Sequence, residues 1–130
     1  MGRVTKVVKY EEGKATCDPG GGFNITAEHY SSAGDDAHPV PGDFAHVSEQ
    51  AGTGRADAVG FIDLVNERKA EAGDKRIYSR NAGTGVSSAE VWLKANGSIV
   101  VSNGGGGIEL SAGGEINLNG VIITTTGKLT

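Results

Sequence analysis

The sequence predicts an all-β protein, in which a small OB-like barrel is followed by a slender prism made by several copies of the chain. Three observations predict this fold. Glycine accounts for 22 of the 130 residues, more than twice the average usage of ~7%, which indicates many tight turns. Apolar and polar residues alternate in short runs, as they do in β-strands. The charge also falls sharply after about residue 80.

The distribution of charge predicts a domain boundary near residue 80. Residues 1–80 carry 10 Lys/Arg and 13 Asp/Glu, whereas residues 81–130 carry two Lys and three Glu. We therefore expect one domain over 1–80 and a second over 81–130. The net charge of −4 argues against a nucleic-acid partner, because binding to phosphates requires basic patches.

Strand patterns follow one another through residues 1–80. The β-branched run 4–9 comes first, and residues 14–30 form a strand, a glycine-rich turn at 19–22 and another strand. Further strands are predicted around 44–47, at 59–61 and at 74–80. The stretch 66–74 is the one candidate helix, and a solvated loop fits it equally well. This succession favours a small OB-like barrel, with a β-sandwich as the alternative.

Residues 81–130 show a clearer period of two, interrupted by turns every six to ten residues. Aliphatic side chains alternate with polar ones and are predicted to share one face. They form the predicted axial core: Val91, Leu93, Ile99, Val101, Ile108, Leu110, Ile116, Leu118, Val121 and Ile123. The predicted turn glycines are Gly97, Gly107, Gly114, Gly120 and Gly127.

Each of these strands offers only two aliphatic residues to a core. A hairpin of that size is marginal in water, and a flat sheet made by one chain would expose adhesive edges. Both problems disappear if several copies intertwine, with each strand pairing with a neighbouring chain around a shared aliphatic axis. Cyclic symmetry would then close the edges.

Three stretches resemble the central spike (cell-puncturing) proteins of contractile-tailed bacteriophages: KRIYSR at 75–80, EVWLKANGSI at 90–99 and GEINLNGVIITTTGKLT at 114–130. PGDFAHV at 41–47 and AVGFID at 58–63 are similar to barrel strands of that family. The resemblance implies an OB-like barrel followed by an intertwined triple-stranded β-helix, built as a homotrimer.

The same resemblance implies a mechanical function. Such a spike lies in the virion at the distal end of the tail, in contact with baseplate hub and tail tube proteins. Sheath contraction drives it through the host outer membrane. The N-terminus lacks the apolar segment of a secretory signal, so we expect synthesis in the host cytoplasm. The alternative function is a glycan- or baseplate-binding OB module that carries a trimerising β-stalk.

The predicted tip departs from the pattern of several relatives, which close it with a His-x-His pair from each chain around iron. Here His29, His38 and His46 all precede residue 81. We therefore expect no tip iron and no cofactor, while an axial ion with other ligands stays open. Ile123 and Leu129 are the expected plugs. The tip residues are Thr124, Thr125, Thr126, Gly127, Lys128, Leu129 and Thr130.

Enzymatic activity is not expected. A lysozyme-like enzyme requires a carboxylate pair in a cleft, and residues 104–130 offer only Glu109 and Glu115, both predicted on an outer face. No spacing of histidine, cysteine or acidic residues matches a metal-binding template.

Overall fold

A computed structural model describes residues 2–130, and every regular element in that range is a β-strand. The strands are β1 (Gly2–Glu11), β2 (Lys14–Asp18), β3 (Ile25–His29), β4 (Phe44–Glu49), β5 (Ala56–Ile62), β6 (Lys75–Arg80), β7 (Ser87–Leu93), β8 (Ile99–Asn103), β9 (Gly106–Leu110), β10 (Ile116–Leu118) and β11 (Val121–Ile123). The prediction of an all-β fold is confirmed.

The first compact unit ends at Val65 and is a closed barrel with the strand order β1-β2-β3-β5-β4. Its neighbouring strands are antiparallel except β3 and β5, which are parallel. The sequence therefore predicts the N-terminal small barrel correctly. The barrel closes because β1 pairs with β4 as well as with β2, which leaves no open sheet edge.

Small side chains fill the barrel interior. Ala15, Ala27, Ala45 and Ala58 are fully buried, together with Cys17 and Val47. A barrel of five strands has a narrow lumen, since its diameter grows with strand number. Alanine at most inward positions therefore matches the space available.

The second compact unit begins at Asn66 and is a six-stranded sheet with the order β11-β10-β9-β8-β7-β6. Every neighbouring pair is antiparallel and consecutive in sequence, so the sheet is a simple meander. The strands shorten along the chain, from seven residues in β7 to five in β8 and β9 and three in β10 and β11. The sheet thus tapers toward the C-terminus.

Two expectations about residues 66–80 differ from the structure. The stretch 74–80 is expected as the last barrel strand, but its residues 75–80 form β6 and pair with β7 in the second sheet. The units consequently divide between Val65 and Asn66, not at residue 80. The stretch 66–74, which fits a helix and a solvated loop equally well by sequence, is a loop, because its charged residues offer no apolar face to bury.

The turns of the second sheet follow the glycine prediction with one exception. Asn119 and Gly120 both have positive φ and make the two-residue turn between β10 and β11. Gly97, Gly114 and Gly127 also have positive φ. Gly107, in contrast, lies inside β9 opposite Ser102, and the turn before it contains Gly104 and Gly105.

Close approach explains why glycine occurs within β9. The Asn119 carboxamide lies where a Cβ on Gly106 would be 2.5 Å from Oδ1. The same carboxamide oxygen accepts a hydrogen bond of 2.7 Å from the Gly107 N–H. A side chain at Gly106 would therefore displace the Asn119 carboxamide and break its hydrogen bond to β9.

Substitution of Ala27 by leucine tests the packing of the barrel. Ala27 is fully buried in the interior, and extra methylene groups in a packed core cost about 1–3 kcal/mol. We expect Ala27→Leu to lower the free energy of unfolding of the barrel by that amount, as measured by urea denaturation with far-UV circular dichroism.

The matched control is Thr26→Leu, which adds apolar volume at the neighbouring exposed position on β3. It should change the unfolding free energy by less than about 0.5 kcal/mol. Equal effects of the two substitutions would contradict the described interior.

Candidate assembly face

One face of the second sheet carries two continuous ladders of aliphatic side chains. From β7 to the C-terminus, antiparallel register places aliphatic residues directly opposite one another on neighbouring strands. On β6, Ile77 continues one ladder opposite Val91, whereas Lys75 lies opposite Leu93 at the end of the other. One ladder comprises Leu93, Ile99, Leu110, Ile116, Ile123 and Leu129, and the other comprises Ile77, Val91, Val101, Ile108, Leu118 and Val121. We call these twelve residues the aliphatic face.

Within the single chain, the aliphatic face is largely uncovered. Its members other than Ile123 are between 37% exposed, at Ile99 and Ile116, and 67% exposed, at Leu129. Monomeric proteins rarely leave a contiguous apolar surface of this extent without a partner. The face is therefore the candidate functional surface of this unit.

The ten predicted axial residues all belong to the aliphatic face, so the period of two places them correctly on one side. Their burial around a shared axis stays a prediction, since the structure contains one chain. Ile77 is absent from the predicted axial core, because the sequence pattern places strand 74–80 in the barrel. One signal could have placed Ile77 on this face. In residues 75–80, side chains alternate as they do in β7: one face has Lys75, Ile77 and Ser79, and the other has Arg76, Tyr78 and Arg80.

The opposite face of the same sheet is covered by its own side chains. Arg76 forms an ion pair with Glu90, and its side chain is only 6% exposed. The guanidinium lies 4.6 Å from the ring centroid of Tyr78 and 5.8 Å from that of Trp92. The guanidinium is attracted by the charge of the carboxylate and by the electron-rich faces of the aromatic rings. Side chains on this face therefore contact one another within the chain, whereas the aliphatic face is left largely uncovered.

Asp74 fastens the start of β6 to the end of β7. One carboxylate oxygen accepts hydrogen bonds from Trp92 Nε1 at 2.9 Å and from the Glu71 N–H at 3.1 Å. The other accepts the Ala95 N–H at 2.7 Å. These donors, the Ala95 N–H first, hold the pKa of Asp74 below its ordinary value, because they stabilise the charged carboxylate.

The tip residues form a last small hairpin. The Thr124 N–H donates to the Lys128 carbonyl at 2.9 Å, and the Gly127 N–H donates to the Thr124 carbonyl at 2.8 Å. The Thr124 and Thr126 hydroxyls lie 2.9 Å apart, and Leu129 bridges to Ile123. The predicted plugs are therefore neighbours on one ladder.

A second candidate surface lies on the barrel, where four aromatic rings meet. The hydroxyl of Tyr10 is 2.9 Å from His29 Nδ1. The Tyr10 ring centroid is 4.5 Å from that of His38, and the His29 ring centroid is 4.7 Å from that of Phe61. Burial, followed by the nearby Asp36 carboxylate, raises the pKa of Tyr10. His38 is exposed, so the cluster is accessible at one side.

No group of three or more His, Cys, Asp or Glu in residues 2–130 is arranged to hold a metal ion. Over the same residues, the structure has no helix of the length and hydropathy that a bilayer span requires. The absence of a tip iron stays a prediction.

No protein-family model matches this chain, and no curated protein matches it.

The hydrogen bonds to Asp74 predict an acid-dependent loss of stability. Because its folded-state pKa is lowered, the folded chain binds fewer protons, and this stabilisation is present above the unfolded pKa of about 4. It is lost as the pH falls through the folded value. We expect Asp74→Asn to be less stable than the parent at pH 7 and to lose less stability between pH 7 and pH 3. Trp92 is the only tryptophan, so its fluorescence during urea unfolding reports on this sheet.

Glu115→Gln provides the control, since it removes an exposed carboxylate from the same sheet. Because this variant keeps Asp74 and its hydrogen bonds, it should show the acid-dependent loss of stability of the parent. An Asp74→Asn protein with the full acid sensitivity of the parent would contradict the role given to Asp74.

Proposed function

We propose that this chain is a structural protein of a contractile phage tail: the homotrimeric, membrane-piercing spike at the tip of the tail tube. The single observation that carries the proposal is the exposed aliphatic face. Surface of this kind must be covered in the working protein, and three copies that turn it toward a common axis would cover it completely.

Two further observations support a piercing role for the assembled sheet. The strands shorten from seven residues to three toward the C-terminus, as a pointed structure requires. Residues 81–130 carry only five charged side chains, which lowers the cost of entering a lipid bilayer. We propose the host outer membrane as the structure that is pierced. This choice rests on the resemblance to central spike proteins at residues 75–80, 90–99 and 114–130.

The proposed work is mechanical, and no residue is assigned a catalytic role. Force from sheath contraction would pass through the baseplate hub and tail tube proteins to the spike. A hydrogen-bonded sheet on the outside and a dry aliphatic axis would resist bending and fraying. Stiffness of this kind depends on the closed assembly, because the free sheet has one uncovered face.

Placing a charge on the aliphatic face should prevent assembly. Ile116→Asp would bring three carboxylates together on the axis without partners, and the effective penalty for burying an unpaired ion is several kcal/mol. We expect light scattering to return a trimer for the parent chain and a monomer for Ile116→Asp. Since Ile116 is 37% exposed in the single chain, the variant should keep its Trp92 fluorescence.

Asn117→Asp is the matched control. Asn117 is the next residue on β10 and lies on the opposite face, where its oxygen accepts the Gly120 N–H at 2.7 Å. An aspartate retains this acceptor, so the variant should remain trimeric. A trimeric Ile116→Asp protein would show that the aliphatic face is not the assembly surface.

The location of the protein tests the function itself. We expect antibodies against this chain to label the distal end of contractile-tailed particles in electron micrographs, and particles with Ile116→Asp to adsorb but not infect. Labelling of another structure, or full infectivity of those particles, would contradict the spike assignment even if the chain is a trimer.

The alternative function, a glycan- or baseplate-binding barrel on a trimerising stalk, is favoured by the ring cluster of Tyr10, His29, His38 and Phe61. Aromatic rings beside polar groups are typical of sugar contacts. Truncation separates the two functions: removal of residues 104–130 abolishes piercing by a spike, whereas a barrel that binds glycans retains its ligand.

A further inference from the structure

The copies need not exchange strands to assemble, because the hydrogen-bonding edges of the central strands are already occupied. Each of β7, β8, β9 and β10 pairs on both sides with strands of its own chain. On the far side of β11, Ile122 exchanges backbone hydrogen bonds of 2.9 and 3.2 Å with Thr130. A strand from another copy could pair with β8 or β9 only after an existing pair had separated.

We infer that the spike assembles side by side, from sheets that fold within each chain and meet only through the side chains of the aliphatic face. This inference rests on the proposed homotrimer and replaces its expected intertwined construction. Each chain then supplies one complete wall of the prism, and the interface between copies contains apolar contacts instead of strand pairing.

Local connections allow each sheet to fold before it meets another copy. Asn119 and Gly120 connect β10 to β11 as a two-residue turn, and the final hairpin closes through the Thr124 N–H and the Lys128 carbonyl. Contacts between consecutive strands involve little loop-closure entropy. The Arg76–Glu90 ion pair and the Trp92–Asp74 hydrogen bond also lie within one chain.

The geometry of the aliphatic face indicates that its occupant is another copy of this chain. Each strand from β7 to β11 presents two aliphatic side chains on this face, while the strand length falls from seven residues to three. Rotation about an axis parallel to the ladders brings each strand level with the same strand of another copy, so the tapers match at every level. An unrelated partner would need the same spacing and the same taper.

A cross-strand cysteine pair distinguishes the two constructions. Val100 on β8 and Glu109 on β9 are direct partners within the chain, on the face opposite the ladders. Directly opposed residues of antiparallel strands have Cα atoms about 4.5–5.5 Å apart, which suits a disulfide. We would oxidise Val100→Cys/Glu109→Cys in the full chain, in a Cys17→Ser background, and compare non-reducing and reducing denaturing gels.

Side-by-side assembly predicts that the oxidised double variant migrates as a single chain, with an intrachain disulfide confirmed by peptide mass. Its native mass by light scattering should remain that of the parent oligomer. Each single variant, Val100→Cys or Glu109→Cys, should give no crosslink, because the opposite face points away from the axis. Leu118→Cys, on the aliphatic face, should give covalent dimers between copies.

Covalent dimers and larger species from the double variant would overturn the inference, because they require β8 of one copy to pair with β9 of another. That result would leave the trimeric spike intact as an intertwined structure. A parent chain that is monomeric by light scattering would instead overturn the homotrimer and this inference together. Intrachain disulfides in a trimer that labels no phage tail would refute the proposed function alone.

Discussion

Cross-strand register is the constraint on which the second unit depends. In each pair from β7 to β11, the register sets aliphatic residues opposite aliphatic residues, and Ile77 on β6 continues one of the two ladders opposite Val91. A shift of one residue in any pair would move a strand's aliphatic residues to the other side and break both ladders. Turns with fixed lengths prevent that shift, and the tightest are the two-residue turns Gly104–Gly105 and Asn119–Gly120. The uncovered aliphatic face follows from this register, and the proposed assembly follows from that face.

One face of the sheet stabilises it within a single chain, and the other can stabilise it fully only in an assembly of several chains. The Arg76–Glu90 ion pair, the rings around it and the hydrogen bonds to Asp74 hold the sheet together within the chain. The aliphatic face contributes fully only when water is removed from it, at about 25 cal/mol per Å² of apolar area. A sheet satisfied on one side and bare on the other is suited to folding first and docking afterwards.

The sequence predicts this arrangement in part, for reasons that particular residues illustrate. Alternation reveals which face Val91 or Ile116 occupies, since side chains in a strand have a period of two. The length of a run does not reveal which sheet a strand joins, so the sequence pattern places 74–80 in the barrel and leaves Ile77 out of the axial core. Residues 104–107 are all glycine, so the sequence does not show which of them form the turn. Gly107 belongs to β9, where its N–H donates to the carboxamide oxygen of the distant Asn119. Likewise, the parallel pairing of β3 with β5 depends on barrel closure, which local patterns do not encode.

The proposed trimer can be tested by counting the chains in the particle that the protein forms in solution. Light scattering of the unmodified protein during size-exclusion chromatography, over a wide range of concentrations, measures that number without any substitution. A homotrimer gives three times the chain mass of 13.2 kDa throughout that range. A mass of one chain at every concentration would contradict it, because the aliphatic face would then be stable in water without a partner.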